Sequence, residues 1–167
     1  MFLARQLPRT APLHAVNRIA HPTDLTKSSE NALTWSVELA QTSGAELLLL
    51  HVIPPPTPIF EAEPPLKAEA AFELSLLLER VKLNDVRARG FVLYGTKSID
   101  HQILQAVQLE RADLVVMGTS RRTGFSRLLA GSVASRLVTR AHCPVLVIPN
   151  QIAGQPQRSK VLPPLGL

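Results

Sequence analysis

Glu46-Leu47-Leu48-Leu49-Leu50-His51-Val52-Ile53 is the stretch on which the fold turns. It is almost unbroken in apolar character, too short for a typical helix, and bounded by Gly44 before it and Pro54-Pro55-Pro56 after it. A strand with one wet face would alternate apolar and polar residues. A continuous run suits a strand buried on both faces, as in a parallel sheet covered by helices. Asp113-Leu114-Val115-Val116-Met117-Gly118 and Pro144-Val145-Leu146-Val147-Ile148-Pro149 read the same way.

Working outward, Asn17 to Pro22 forms a short first strand, which Pro22 should stop because proline has no N–H for the ladder. Thr23 to Ser29 is polar and rich in capping residues. A helix then runs to about Thr42, with Leu33, Val37 and Ala40 on one stripe and Gly44 placed as its left-handed cap. The six prolines of residues 54–65 mark an exposed loop or linker rather than a domain boundary. Residues 66–82 form a second helix, with Phe72, Leu76 and Leu83 among its apolar positions. Val86 to Tyr94 is the third strand, closed by Gly95. Ser98 stands as N-cap of a third helix to about Glu110, whose inward stripe is Ile99, Ile103, Ala106 and Val107. A long loop, Thr119 to Ala130, precedes a fourth helix opened by Gly131-Ser132. Strand and helix thus alternate four times before a last strand, which implies an open parallel α/β sheet with right-handed crossovers.

The 167 residues fit one domain, residues 17–150, with a loose leader at 1–16 and a loose tail at 151–167. Hydrophobic residues make up 46% and charged residues 19%, the balance of a soluble globular chain with a core. The net charge is +5, and part of it comes from the ends, at Arg5, Arg9, Arg158 and Lys160. No basic helix interleaved with aromatics is present, which argues against nucleic acid as a partner. One cysteine, Cys143, excludes an internal disulfide. No apolar run approaches the roughly 20 residues of a membrane span, and the first residues lack a signal-type apolar stretch, so the expected location is cytoplasmic.

The chain carries neither a G-x-x-x-x-G-K-[ST] loop nor a G-x-G-x-x-G after the first strand. Leu93-Tyr94-Gly95 stands where a receiver domain would place an acceptor aspartate. Histidines 14, 21, 51, 101 and 142 are scattered without metal-ligand spacing. His51 reads as a core residue or pocket wall, His21 lies beside the candidate site, and Cys143 before a proline reads as packed. No paired carboxylates or nucleophile–base set is visible, so no catalytic residue and no metal ligand is assigned. In open parallel sheets, ligands bind beyond the carboxyl ends of the strands where strand order reverses. Two segments with suitable chemistry stand at such ends: Pro22-Thr23-Asp24, and Gly118 to Ser132. A helix N-terminus offers unpaired N–H groups to a phosphate, and Gly131 leaves room for close approach. Ser132 could cap the helix or bond an anion, and Asp24 could cap its loop or hold a ligand. The residues leave both pairs of alternatives open.

The run Met117 to Ala134, MGTSRRTGFSRLLAGSVA, resembles the signature loop of the universal stress protein family. Cys143-Pro144-Val145-Leu146-Val147-Ile148-Pro149 resembles that family's last strand, and His21-Pro22-Thr23-Asp24 with Asn31-Ala32-Leu33 its first strand end and first helix. The likeness covers roughly residues 17–150. It implies a five-stranded sheet in order 3-2-1-4-5 with helices on both faces, and a stress-response module binding ATP or AMP, with Mg as companion ion, between strands one and four. Pro22, Thr23 and Asp24 would then meet the adenosine part, with Val52 in the adenine pocket unless it is plain strand core. Gly118, Gly131, Ser132 and Val133 would line the phosphates. The family's loop reads G-x2-G-x9-G-S/T, and its middle glycine falls on Arg121. An arginine there adds bulk and strain of about 1–3 kcal/mol, or supplies a charge-assisted bond to phosphate. The resemblance also implies a homodimer through the fifth strand. A non-binding interaction protein with an unidentified partner is the alternative that Arg121 favours. Slow ATP hydrolysis is a third reading, for which no base is evident.

Overall fold

The computed structural model describes residues 15–54, 64–95, 97–119 and 132–149. In chain order these form β1 (Arg18–Thr23), a 3-10 turn (Lys27–Ser29), α1 (Glu30–Ser43), β2 (Glu46–Val52), α2 (Pro64–Lys82), β3 (Ala88–Leu93), α3 (Ile99–Leu109), β4 (Leu114–Gly118), α4 (Ser132–Arg140) and β5 (Val145–Ile148). All five strands run parallel in the order β3-β2-β1-β4-β5.

The apolar run at 46–53 is buried as its composition requires. Leu47, Leu48, Leu49 and Leu50 are each no more than 1% exposed. Successive side chains point to opposite faces, so one strand feeds two cores. Leu47 and Leu49 join Ile19, Leu33, Val37, Leu77 and Val81 under α1 and α2. Leu48 and Leu50 join Ala20, Ile103, Val107, Val115 and Leu137 under α3 and α4. Each of the leucine, isoleucine and valine side chains among them contributes about 1.5–3 kcal/mol through its burial. Gly44 sits at φ 71°, the left-handed cap its position suggested.

The apolar positions of α2 divide between an outer and an inner face. Phe72, Leu76 and Leu83 face outward, and α2 buries Ala70, Leu74, Leu77 and Val81 instead. The helix has two apolar stripes, and β3 receives the one that fits. A Cβ on Gly90 would come within 3.1 Å of the Leu74 side chain, so glycine there lets α2 settle onto the strand. Arg80, nearly buried, anchors the same helix through two 3.0 Å bonds to the Glu30 carboxylate.

Pro22 does not stop β1. The strand continues to Thr23, with Pro22 opposite Leu50 and Thr23 opposite His51. The reason lies in alternation. Asn17 turns its carbonyl to Glu46 of β2, while Arg18 turns its carbonyl to Asp113 beside β4. Even-numbered residues of β1 therefore address β4, and the missing N–H of Pro22 falls on that side alone. The ladder to β4 is accordingly short, with Ile19 opposite Leu114 and Ala20 opposite Val115.

Candidate functional site

The order β3-β2-β1-β4-β5 makes β1 and β4 neighbours, with chain direction across the sheet reversing between them. Their carboxyl ends are where a ligand crevice is expected. Pro22 is half-buried, Thr23 is buried and Asp24 is exposed. The Thr23 hydroxyl accepts the Leu25 N–H at 3.0 Å and shares a 2.9 Å hydrogen bond with Ser29. Asp24 turns its carboxylate onto its own loop. It accepts the N–H of Thr26 at 3.0 Å, the hydroxyl of Thr26 at 2.8 Å and the hydroxyl of Ser28 at 3.0 Å. Burial works to raise its pKa, but these bonds outweigh it and hold the carboxyl below the usual range. Leu25, between them, has a φ of 60°, unusual for a residue with a branched side chain. The loop is thus held by side-chain bonds in a conformation its residue would not choose.

Two imidazoles lie beneath this loop. His51 Nδ1 is 3.1 Å from the Thr23 carbonyl, and His21 Nδ1 is 2.8 Å from the Val116 carbonyl. His21 is fully buried, and its Nε2 has no hydrogen-bond partner among the described residues. Burial pulls its pKa down to about 4, against smaller opposing effects of the Val116 bond, Asp24 and Glu30, so the ring is neutral. Val52 is 8% exposed and belongs to the core shared with Leu50 and Met117.

On the neighbouring strand, Gly118 ends β4 opposite Ile148 of β5, and the Thr119 N–H bonds the Ile148 carbonyl at 3.0 Å. Arg121 and Gly131 lie outside the described residues. Ser132 opens α4 with its side chain exposed, and Val133 packs partly against the core. One turn further, Arg136 bonds Asp100 in the first turn of α3 at 2.9 Å, and Arg140 stands 3.7 Å from the other carboxylate oxygen. The Asp100 side chain is 3% exposed, while Arg136 is 55% exposed. Burial works to raise the Asp100 pKa, yet the bond from Arg136 and that from Ser98 leave it below the usual range. Ser98 does precede α3, but its side chain makes no capping bond to the helix backbone.

The structure therefore stands Pro22-Thr23-Asp24 and Gly118 at the ends of adjacent strands and Ser132 at the start of the helix that follows. Sequence reasoning missed the tie between Asp100 and Arg136 and the bond from His21 to the Val116 carbonyl. A cavity of about 200 Å³ beneath the β1–α1 loop is lined by Thr23, Ser29, Glu30, Leu76 and Arg80 among others, with no residue from β4. No cluster of three or more His, Cys, Asp or Glu able to hold a metal occurs among the described residues. Cys143 packs against the α3–α4 core, and burial raises its thiol pKa. No helix is long and apolar enough to cross a membrane, among the described residues.

Residues 15–149 match the model of the universal stress protein family. Universal stress protein MJ0531 of Methanocaldococcus jannaschii is 32% identical over 144 residues, covering 78% of this chain and 81% of that protein. The solved structure of universal stress protein UspA from Lactobacillus plantarum superposes with a TM-score of 0.65 at 26% identity, over 80% of this chain and 97% of that one. A universal stress protein from Archaeoglobus fulgidus, solved in complex with dAMP, shares the fold at a TM-score of 0.63 and 19% identity, over 80% and 98% of the two chains.

Proposed function

The chain belongs to the universal stress protein family, and from that premise we propose that it binds an adenine nucleotide, ATP or AMP, at the carboxyl ends of β1 and β4. One observation carries the reading: the β1–β4 ladder ends at Ala20 and Val115, and the strand ends beyond it bear Asp24 on one side and Gly118 on the other. The dAMP bound by the Archaeoglobus relative supports the ligand class. In this reading Pro22 to Asp24 meet the adenosine part, while Gly118, Ser132 and the start of α4 meet the phosphates. The N–H groups of a helix's first turn have no partner within the helix, and with its positive dipole end they favour an anion. A Mg ion would be held by the phosphates, since Asp24 is the one carboxylate of these segments. Among the described residues none is placed at these strand ends as a base to activate water, and the proposal is one of binding.

Asp24 is already engaged with Thr26 and Ser28. Its substitution therefore tests both ligand contact and loop shape, and Asp24→Asn, which keeps an acceptor oxygen, separates them. The experiment is mass spectrometry of nucleotide released from the purified, denatured protein, with ATP calorimetry on the same batch. Binding that Ser132→Ala and Asp24→Ala each weaken by about tenfold, roughly one lost hydrogen bond to a charged group, supports the reading. Absence of nucleotide and of heat would sink it. Recovery of binding in Arg121→Gly would then establish the second reading, a partner-directed protein whose phosphate loop is closed by the arginine that stands in place of glycine.

A further inference from the structure

At residue 22 the ladder between β1 and β4 loses a donor. Continuing the register of Ala20 opposite Val115 would bring the N–H of residue 22 to the Val116 carbonyl, and residue 22 is proline. His21 supplies the missing bond from its side chain, with Nδ1 2.8 Å from that oxygen. A carbonyl can only accept, so Nδ1 carries the hydrogen and Nε2 of the neutral ring is left a bare acceptor. That nitrogen is buried and has no partner among the described residues. An apolar β-branched side chain would fill a buried strand position without stranding a polar atom. The imidazole therefore has a use at this position other than filling space.

We infer that His21 is the positioning residue of the nucleotide site. This role rests on the nucleotide reading above. The ring ties β4 to β1 at the point where the backbone ladder gives out, and so fixes the separation of Pro22–Asp24 from Gly118. A ligand that spans both strand ends depends on that separation. A ligand that meets one end depends on it little, because the second contact gains only when the first already places it. His21 itself touches neither part of the ligand; it acts through the strands on either side. On the β2 side the ladder runs on to Thr23 opposite His51, and the His51 ring adds a 3.1 Å bond to the Thr23 carbonyl.

The test measures ATP and adenosine affinity by calorimetry in the full-length wild-type chain, His21→Val and His21→Asn. The asparagine amide can occupy the place of Nδ1–H, whereas valine offers no donor. Losing the bond in His21→Val is expected to raise the ATP Kd by roughly tenfold or more and the adenosine Kd by less than about threefold. His21→Asn restores the ATP value to within about threefold of wild type, a rescue that mere loss of packing would not show. Equal weakening of both ligands in His21→Val, or no recovery in His21→Asn, overturns the role while leaving the nucleotide reading intact. Wild-type protein that binds neither ligand removes the nucleotide reading, and the role with it. If His21→Val does not fold, His21→Asn and a 15N spectrum of the wild-type ring carry the test. The spectrum shows the hydrogen on Nδ1 at neutral pH, and a hydrogen on Nε2 overturns the inference whatever the ligands do.

Discussion

The two ends of the sheet are built by different means. At the amino ends of the strands, charge closes the structure. Arg89 of β3 bonds Glu46 of β2 at 2.9 Å and Glu110 after α3 at 2.7 Å, and Arg18 of β1 stands 3.5 Å from Glu46. Asp113 accepts the N–H groups of Asn17 and Arg18 at 2.8 and 2.9 Å. Gly44, Asp85 and Arg111, each just past a helix, take the left-handed conformation that turns the chain back into a strand. At the carboxyl ends, hydroxyls and imidazoles work beside two pairs that each have a buried partner, Arg80 with Glu30 and Asp100 with Arg136, while Leu25 is held at positive φ and Asp24 is left at the surface. One end is organised to be shut, and the other keeps polar groups fixed by their neighbours and within reach of solvent. The difference predicts that substitutions at the carboxyl end act on binding and on buried polar balance, and that those at the amino end act weakly on stability alone.

The largest expected effect is an acid sensitivity confined to the carboxyl end. His21 folds with a pKa of about 4, against about 6.5 when unfolded. Below the unfolded value the unfolded chain takes up a proton that the folded ring refuses. Stability is therefore intact above about pH 6.5 and falls as pH drops toward 4, by about 2 kcal/mol at pH 5 and about 3 kcal/mol in all. Asp24 and Asp100, both held below the usual carboxylate range, stay ionised across pH 5–7 and do not blur this window. Urea unfolding at pH 7 and pH 5 reads the loss, and His21→Asn should remove about 2 kcal/mol of it. A variant that loses as much as wild type would mean the buried ring is not the sensitive group.

The frame of this molecule was open to reading from the chain because apolar runs carry their own evidence. Residues 46–53, a short apolar run between Gly44 and three prolines, suited a doubly covered sheet, and Gly44 announced the turn before them. Strand order came from the family resemblance, since periodicity fixes faces and not neighbours. Pro22 shows the limit of local rules. Whether a proline ends a strand depends on which neighbour its missing N–H would have served, and only the register tells that. Phe72 and Leu76 show another, because α2 has two apolar stripes and the choice between them rests on Gly90 of a different strand. At the site, Pro22 to Asp24, Gly118 and Ser132 were recognisable as strand and helix ends. The bond from His21 to Val116, 95 residues apart, had no local signature.

The tie between α3 and α4 yields the next effect in size. Arg136 is largely in water while its partner Asp100 is buried. Removing the arginine leaves a buried carboxylate with the more distant Arg140 and Ser98, whereas Asp100→Asn returns a guanidinium to solvent. Arg136→Ala should thus cost about 1–3 kcal/mol and Asp100→Asn about 1 kcal/mol or less, the asymmetry that follows when one partner is desolvated and the other is not. Because the Asp100 carboxyl is held below its ordinary value, its contribution is present above about pH 4 and drains away at lower pH. Denaturant midpoints of the two variants at pH 7 decide it. Equal costs would mean that the pair behaves as a surface bridge.

The smallest effect belongs to the amino end. Arg89 joins two acids, Glu46 and Glu110, at good distances, and on a contact count it would rank as the strongest ionic centre of the molecule. Its side chain is nevertheless 44% exposed. Water screens both partners, and each long side chain gives up rotamer freedom to hold the geometry. Arg89→Ala should therefore cost no more than about 1 kcal/mol, and less in high salt, with nucleotide affinity unchanged. Thermal unfolding at low and high ionic strength measures the first, and ATP calorimetry the second. A loss well above 1 kcal/mol that salt does not reduce would mean that the amino end is held by ionic contacts shielded from water. The division between a shut end and a working end would then rest on burial at both ends rather than on exposed charge at one.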